Sequence, residues 1–412
     1  MKSPFQLLAR SRLESHILGP IEGQRGATIV LVAILLVALL GMAALAIDVG
    51  MLYTARTESQ RTADAAALAG AGKYIEEYFL TSSNDDNAIR QEAQAFASQN
   101  AVMGDSTDVQ DGDVEILHAD KKVRVWIRNT AARTSAIPTW FGRVLGRDEA
   151  DVVTVAAAKV TGASGGDCLL PIALPDEWID NGDGMWNGPP EDTYIPWPES
   201  GYTGYSTDDV GLRIQIKTAV NPGSGPPMCA PTDVHDACNS FGDSSWRCWW
   251  LDDHPSQGGG GGANELDARI RSCVGEGKEI GDLIWAASGA GNKQSLVSGA
   301  FKDLVDDDPD VFWDEGQKCP ARDGNCITDS DRIRRIPMVD PNEVNPAGGA
   351  NTNAVISNFA AVYVEKVACS ENLPHGGGPP GRWNVYVRLM GFTGSHPIDR
   401  DDSLLKAIQL VE

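Results

Sequence analysis

Residues 25–48 read RGATIVLVAILLVALLGMAALAID. Between Arg25-Gly26 and Asp48 the 21 residues Ala27 to Ile47 carry no charge. At about 1.5 Å of rise per residue such a run makes a helix of roughly 31 Å, enough to cross one bilayer. No other stretch of the chain approaches it, so the sequence reads as single-pass, with the span from Ala27 to Ile47. Ahead of the span stand Lys2, Arg10, Arg12 and Arg25 against Glu14 and Glu22. The positive-inside rule therefore leaves residues 1–26 in the cytoplasm and everything from Asp48 onward outside.

Two processing routes compete with a retained anchor. Ala44-Leu45-Ala46 has the small-x-small form of a signal-peptidase site, but the apolar stretch before it exceeds the usual 7–15 residues of a signal peptide. Gly26 before an apolar helix also has the form of a type IV prepilin cleavage site. The Glu such pilins usually carry five residues into the mature helix is Leu31 here, which favours the intact chain.

Composition agrees with an exported body. The formal charge is −23, and residues 48–412 hold 30 basic against 55 acidic side chains. So acidic a surface offers no electrostatic footprint for nucleic acid or for anionic lipid surfaces. All eight cysteines (Cys168, Cys229, Cys238, Cys248, Cys273, Cys319, Cys326, Cys369) lie beyond the span. An even number in an oxidising compartment points to disulfides, with the connectivity left open; pairs such as Cys319 with Cys326 are near enough in sequence to bond within one loop.

The apolar helix does not stop at the membrane. From Asp48 to about Tyr78 there is no proline and Ala-rich helix formers dominate, so one rod is expected from Gly26 to near Tyr78. Its outer half contains Ala63-Asp64-Ala65-Ala66-Ala67-Leu68-Ala69-Gly70-Ala71-Gly72, a face of small side chains that lets another backbone approach closely. That face either packs on its own domain or meets an assembly partner. Asp48 and Asp64 are 16 residues apart, which turns them to nearly opposite sides of a helix, so they do not form one site.

After the rod, residues 86–101 have helical spacing. The period then becomes two: Val114 and Ile116, a turn at Ala119-Asp120-Lys121, and Val123, Val125 and Ile127 read as a β-hairpin. A short helix at 138–145 and a buried strand at 152–160 follow, and Ala163-Ser164-Gly165-Gly166 reads as a domain boundary. Beyond it the regular patterns thin out, with a strand at 212–218, a Gly258–Gly262 spacer, a better-ordered segment at 264–304 and β character at 332–339, 355–367 and 383–392. The C-terminal unit is expected to be mainly β with one or two helices.

The string Arg25-Gly26-Ala27 through Leu39-Leu40-Gly41, then Ala46-Ile47-Asp48-Val49-Gly50, Tyr53, Ala55-Arg56, Gln60 and Ala63-Asp64-Ala65-Ala66-Ala67-Leu68-Ala69-Gly70-Ala71, resembles the N-terminal module of TadG-like proteins of Tad (tight adherence, Flp) pilus systems. The resemblance covers about 50 residues, with a looser pilin-like continuation to 162. It implies an inner-membrane protein whose bulk is periplasmic and which assembles or anchors Flp-type pili. Its partners would be the membrane and other pilus-assembly proteins or pilins, and it implies no enzymatic activity. Asp48, Gly50, Gln60, Asp64, Ala67 and Gly70 become the residues to watch for assembly contacts. The Asp-x-Ser-x-Ser motif of a metal-dependent adhesion site, carried by many such proteins, does not occur here. The organisation expected is thus α+β: a cytoplasmic tail (1–26), a transmembrane helix (27–47), a helical rod with a pilin-like α+β unit (48–162) and a mainly β, disulfide-containing domain (163–412).

Other chemistry finds little support in the sequence. Asp176, Asp180, Asn181, Asp183 and Glu191 crowd one Gly-rich loop whose oxygens suit calcium, but Gly182, Gly184 and Met185 occupy the wrong positions of a calcium loop, so a solvated acidic turn is expected. Cys229, His235, Cys238, Cys248 and His254 are zinc-ligand types, but the compartment favours disulfides. No nucleophile elbow, zincin pair or phosphate loop is present, and no cofactor is expected. The Trp-rich stretches (Trp178, Trp186, Trp197; Trp246, Trp249, Trp250) suit either core packing or stacking on a glycan. Three function classes follow: a membrane-anchored structural component of Tad/Flp pilus assembly, a pseudopilin-like fibre subunit starting at Ala27, or a tethered envelope enzyme or glycan-binding module.

Overall fold

The computed structural model describes residues 25–133, 135–217, 235–236, 250–251, 263–272, 277–286, 294–345, 352–370, 372–378 and 383–411. The chain divides into two compact units, one made of residues 1–57 and 128–153, the other of 58–127 and 154–412. Helix α1 (Arg25–Ile75) is continuous from the first described residue and ends in a π turn, Glu76–Leu80. The expected rod is there, within three residues at its far end.

In the first unit, the described large apolar side chains of α1 from Ile29 to Val49 all face outward. Its second segment folds into a closed loop. Ile137 and Pro138 pair antiparallel with Ala150 and Glu149, and the Thr139 amide donates to the Asp148 carbonyl. A 3₁₀ turn, Gly142–Leu145, closes on Gly146 at φ 78°. Residues 138–145, expected to be a short helix, are therefore one strand end and one tight turn. Pro138 supplies no amide and Gly142 lowers helix propensity, so four residues of 3₁₀ are what remains. Glycine is required at 142, because a Cβ there would lie 2.5 Å from the Thr139 hydroxyl and 2.8 Å from the Arg147 carbonyl.

Among the described residues, the second unit has two large sheets, of eight and seven strands, and two small ones. Helix α2 (Asp86–Gln99) starts where the Asp85 carboxylate accepts the amides of Asn87 and Ala88, which leave the first turn without helical partners. The hairpin of β1 (Val114–Leu117) and β2 (Lys122–Asn129) has the expected alternation, with Val123, Val125 and Ile127 buried, and it turns at Lys121 in the left-handed region. Strand β3 (Val152–Gly166) lies beside β2. It runs unbroken through Ala163–Gly166, the stretch whose composition suggests a boundary. Its small residues serve close strand approach: a Cβ on Gly162 would collide with the Arg400 carbonyl, and one on Gly165 would sit 2.8 Å from His396 Nδ1.

The larger sheet is built on β4 (Arg213–Lys217), β5 (Leu283–Ala286), β7 (Ile333–Val339), β8 (Asn353–Ala368) and β9 (Asn384–Met390). Strand β8 is its centre, pairing antiparallel with β5, β7 and β9. It is buried almost continuously from Ile356 to Val364, the pattern of a strand covered on both faces. Helices α3 (Ala263–Arg271) and α4 (Gln294–Asp307) contribute Leu266, Ile270, Ala300 and Phe301 to the same core. Strand β6 (Cys319–Arg322) turns back through Asp323-Gly324, both at positive φ, to pair with Asn325–Cys326, as an Asp-Gly hairpin should. The last two strands, β10 (Ser395–Ile398) and β11 (Leu405–Val411), return to pair antiparallel with β3. The fold is α+β, with a long apolar helix first and a mainly β region after it.

Candidate functional site: the membrane exit and its loop

Along α1 an apolar window with none of its residues buried is long enough to cross a membrane. At its end, Asp48 is 6 % exposed although it is the first charge after the run. Its carboxylate accepts three consecutive backbone amides from a segment more than 90 residues away. Oδ1 receives the Trp140 N–H at 2.9 Å, and Oδ2 receives those of Phe141 and Gly142 at 3.1 and 2.7 Å. These amides open the 3₁₀ turn and have no partner within it, so the carboxylate caps the turn as a side chain caps a helix. A buried carboxylate needs such donors, and amides at the edge of a low-dielectric layer hold it strongly. Asp48 is thus neither a bare membrane-end residue nor an open contact. It ties residues 139–147 to the helix.

Loop closure is completed by the Thr139 hydroxyl donating to the Arg147 carbonyl at 2.5 Å and by the Ala131 amide donating to Asp151 at 2.8 Å. Beside its charged residues the loop presents three large apolar side chains outward: Trp140 is 70 %, Val144 85 % and Phe141 42 % exposed. None of these three stood out in the sequence. The available signal was the pair of aromatics between Pro138 and Gly142, inside a stretch otherwise read as a helix.

Of the other residues marked for assembly contacts, Ala67 and Gly70 face inward, Gln60 and Asp64 are half-buried and Gly50 is exposed. Ala63, Ala66, Ala67 and Ala71 are fully buried, in one cluster with Ile89 and Ala93 of α2 and Val123 and Val125 of β2. A Cβ at Gly70 would meet Val123 Cγ1 at 2.9 Å and Ala93 Cβ at 3.3 Å. In this structure the small-residue face packs on α2 and β2, which cover Ala67 and Gly70. Gln60 donates to Asp64 at 2.9 Å and to the Val155 carbonyl at 3.1 Å, joining α1 to β3. Gly50 is exposed, with open space where a Cβ would stand.

The acidic residues considered for calcium are not gathered into one site. Asp176 is fully buried: Oδ2 accepts the hydroxyls of Tyr194 and Tyr202 at 3.0 and 2.7 Å, and Oδ1 the Tyr205 amide at 2.9 Å. Asn358 and Arg400 close the network, Arg400 lying 4.3 Å over the Tyr202 ring. Burial pushes the Asp176 carboxyl up, while those hydrogen bonds and Arg400 pull it back. Asp180 and Asp183 accept the amides of Gly184 and Met185 in exposed turns. Glu191 is exposed, its amide bonded to the Gly188 carbonyl. Among the described residues no group of three or more His, Cys, Asp or Glu is placed to hold a metal ion.

Cys319 and Cys326 form a disulfide, and Cys168 and Cys369 are also disulfide-bonded. Among the described residues no cysteine is free. Cys229, Cys238, Cys248, Cys273 and His254 lie outside the described residues, as do Trp246 and Trp249 and the Gly258–Gly262 spacer. Trp250 is buried and donates to the Leu170 carbonyl, and Trp186 packs against the core beside Trp178. These three serve packing.

Helix, exit carboxylate and tied loop define the class: a module whose apolar helix is long enough to cross a membrane and continues into a folded body. Residues 26–73 match the model of the Flp pilus-assembly TadE/G-like family, so the chain carries a TadE/G-like pilus-assembly module at its N-terminal end. The match takes in the span, Asp48 and the buried small-residue face. No curated protein and no solved structure matches the chain.

Proposed function

We propose that this protein is a single-pass structural component of Tad/Flp pilus assembly, held in the inner membrane with residues 1–26 in the cytoplasm and the body outside. The observation that carries this reading is the coincidence of the TadE/G-like match with α1, a helix uncovered along its apolar half and packed into a folded body along its other half. The body then acts by binding other pilus-assembly proteins or pilins and by staying fixed to the membrane, not by catalysis, and it needs no cofactor. Disulfide-bonded cysteines among the described residues favour an oxidising side for the body.

The test is protease protection of the full-length chain in cells, with the N-terminus of the membrane-bound product sequenced. The intact N-terminus is expected, with the body cut only by protease added from outside. A mature N-terminus at Ala27 would make the chain a pseudopilin-like fibre subunit instead, and a body digested only after the inner membrane is opened would reverse the orientation.

A further inference from the structure

The loop held by Asp48 exposes three large apolar side chains within five residues, Trp140, Phe141 and Val144. Soluble surfaces scatter such residues singly; a cluster marks an interface. Its only charges between 139 and 147 are Arg143 and Arg147, in a body that is otherwise strongly acidic. Among the described residues Arg143 pairs with Asp148, at 3.9 Å, with both side chains mostly exposed.

The occupant follows from where the loop is tied. Asp48 ends the apolar run, and its carboxylate lies within 2.7–3.1 Å of three loop amides, so the depth of the loop is the depth at which α1 leaves the hydrocarbon. With a core of about 30 Å inside a bilayer of about 40–45 Å, the headgroup layer on each side is roughly 5–8 Å thick. A backbone pinned at the exit residue lies in that layer. Amphipathic indole favours it, and a guanidinium pairs with lipid phosphate through two parallel hydrogen bonds. The loop is also continuous with the span through Asp48, so phospholipid is already its neighbour.

We propose that residues 139–147 form a second membrane contact. Trp140, Phe141 and Val144 enter the interface of the leaflet where α1 exits, Arg143 and Arg147 bind lipid phosphates, and Asp48 is the positioning residue. Two attachment points fix the depth and rotation of the helix, which one span alone leaves free. The proposal rests on α1 crossing the bilayer.

The experiment replaces single residues of the full chain by the photocrosslinker p-benzoylphenylalanine in native membranes: Val144 in the loop, Leu36 in mid-span and the exposed Phe312 in the body. Irradiation followed by mass spectrometry is expected to give phospholipid adducts at Val144 and Leu36 and none at Phe312. In an Asp48→Ala background the Val144 lipid adduct should fall while the Leu36 adduct persists. A lipid adduct at Leu36 with none at Val144, or with a protein caught at Val144, overturns the loop contact and leaves the span standing. Lipid adducts at Phe312 as strong as at Val144 overturn it too. Loss of the lipid adduct at Leu36 removes the span itself, and the loop contact with it.

Discussion

Helix α1 is two materials in one backbone. From Ile29 to Ile47 it carries Leu, Ile and Val facing outward, more than half of each side chain uncovered. From Ala63 to Ala71 its inward positions are alanine and glycine, all buried. Both of these surfaces are apolar; what separates them is side-chain size. Lipid chains adapt to any apolar shape, so a half that crosses a bilayer can be filled with large residues. The upper half lies against fixed protein, and only a methyl group or less fits between α1 and the Val123 and Ala93 side chains.

The sharpest way to break this comparison is to exchange size between the halves. Gly70→Leu forces a bulky group where even a Cβ is too close, and is expected to destabilise the body by about 3 kcal/mol. Leu36→Ala in the span should leave the body within about 0.5 kcal/mol of the parent. Denaturant unfolding of the detergent-solubilised full chain, followed by the near-UV signal of the body, measures both. Equal losses would mean that the halves are not distinct environments.

A pH titration sharpens the same contrast, because the apolar run Ala27–Ile47 carries no ionisable group. Lys406 is buried on β11 over the Phe79 ring and donates to the Asp401 carbonyl. Burial, aided by Lys121, brings its ammonium down to about 8 from 10.5. Between those values the unfolded chain holds a proton that the folded chain has lost, so stability rises with pH. From pH 8 to 10 the gain should be about 2 kcal/mol. Above pH 10 the trend reverses, since burial pushes Tyr194, Tyr202 and Tyr205 far above the usual phenol range and the unfolded chain gives up those protons first. Lys406→Gln should flatten the rising limb and spare the falling one. An unchanged limb would assign the rise to another group.

The smallest effect lies at the joint. Asp48→Ala removes the acceptor of three amides and should weaken local closure of the loop by about 1 kcal/mol. Hydrogen exchange at Trp140, Phe141 and Gly142 should then quicken several-fold, with exchange in β8 unaltered. Unchanged exchange at those three amides would mean that the tie contributes nothing to the loop.

Near-neighbour patterns were legible before any coordinate. A run of apolar residues long enough for a bilayer, an alanine-rich continuation without proline and a period-two hairpin each depend on bonds between residues a few positions apart, and the sequence determined them. It also determined the TadE/G-like module, since that motif lies along one helix, and it brought Cys319 and Cys326 close enough to pair. Tertiary structure alone decided which neighbour each surface met. The amides that Asp48 collects lie 92 to 94 residues away. Asp176 reads as a loop carboxylate and becomes the buried centre of a tyrosine network, and Ala163–Gly166 reads as a linker because small residues suit both a flexible joint and a tight strand crossing. Strand β10, from about 230 residues further along the chain, settles how that stretch is used by pairing with Ala163 and Gly165 of β3. Such pairings leave no local period, because the free energy that selects them comes from desolvated donors and acceptors meeting across the fold, and the residue types that meet there are the same ones that water would hold in a turn.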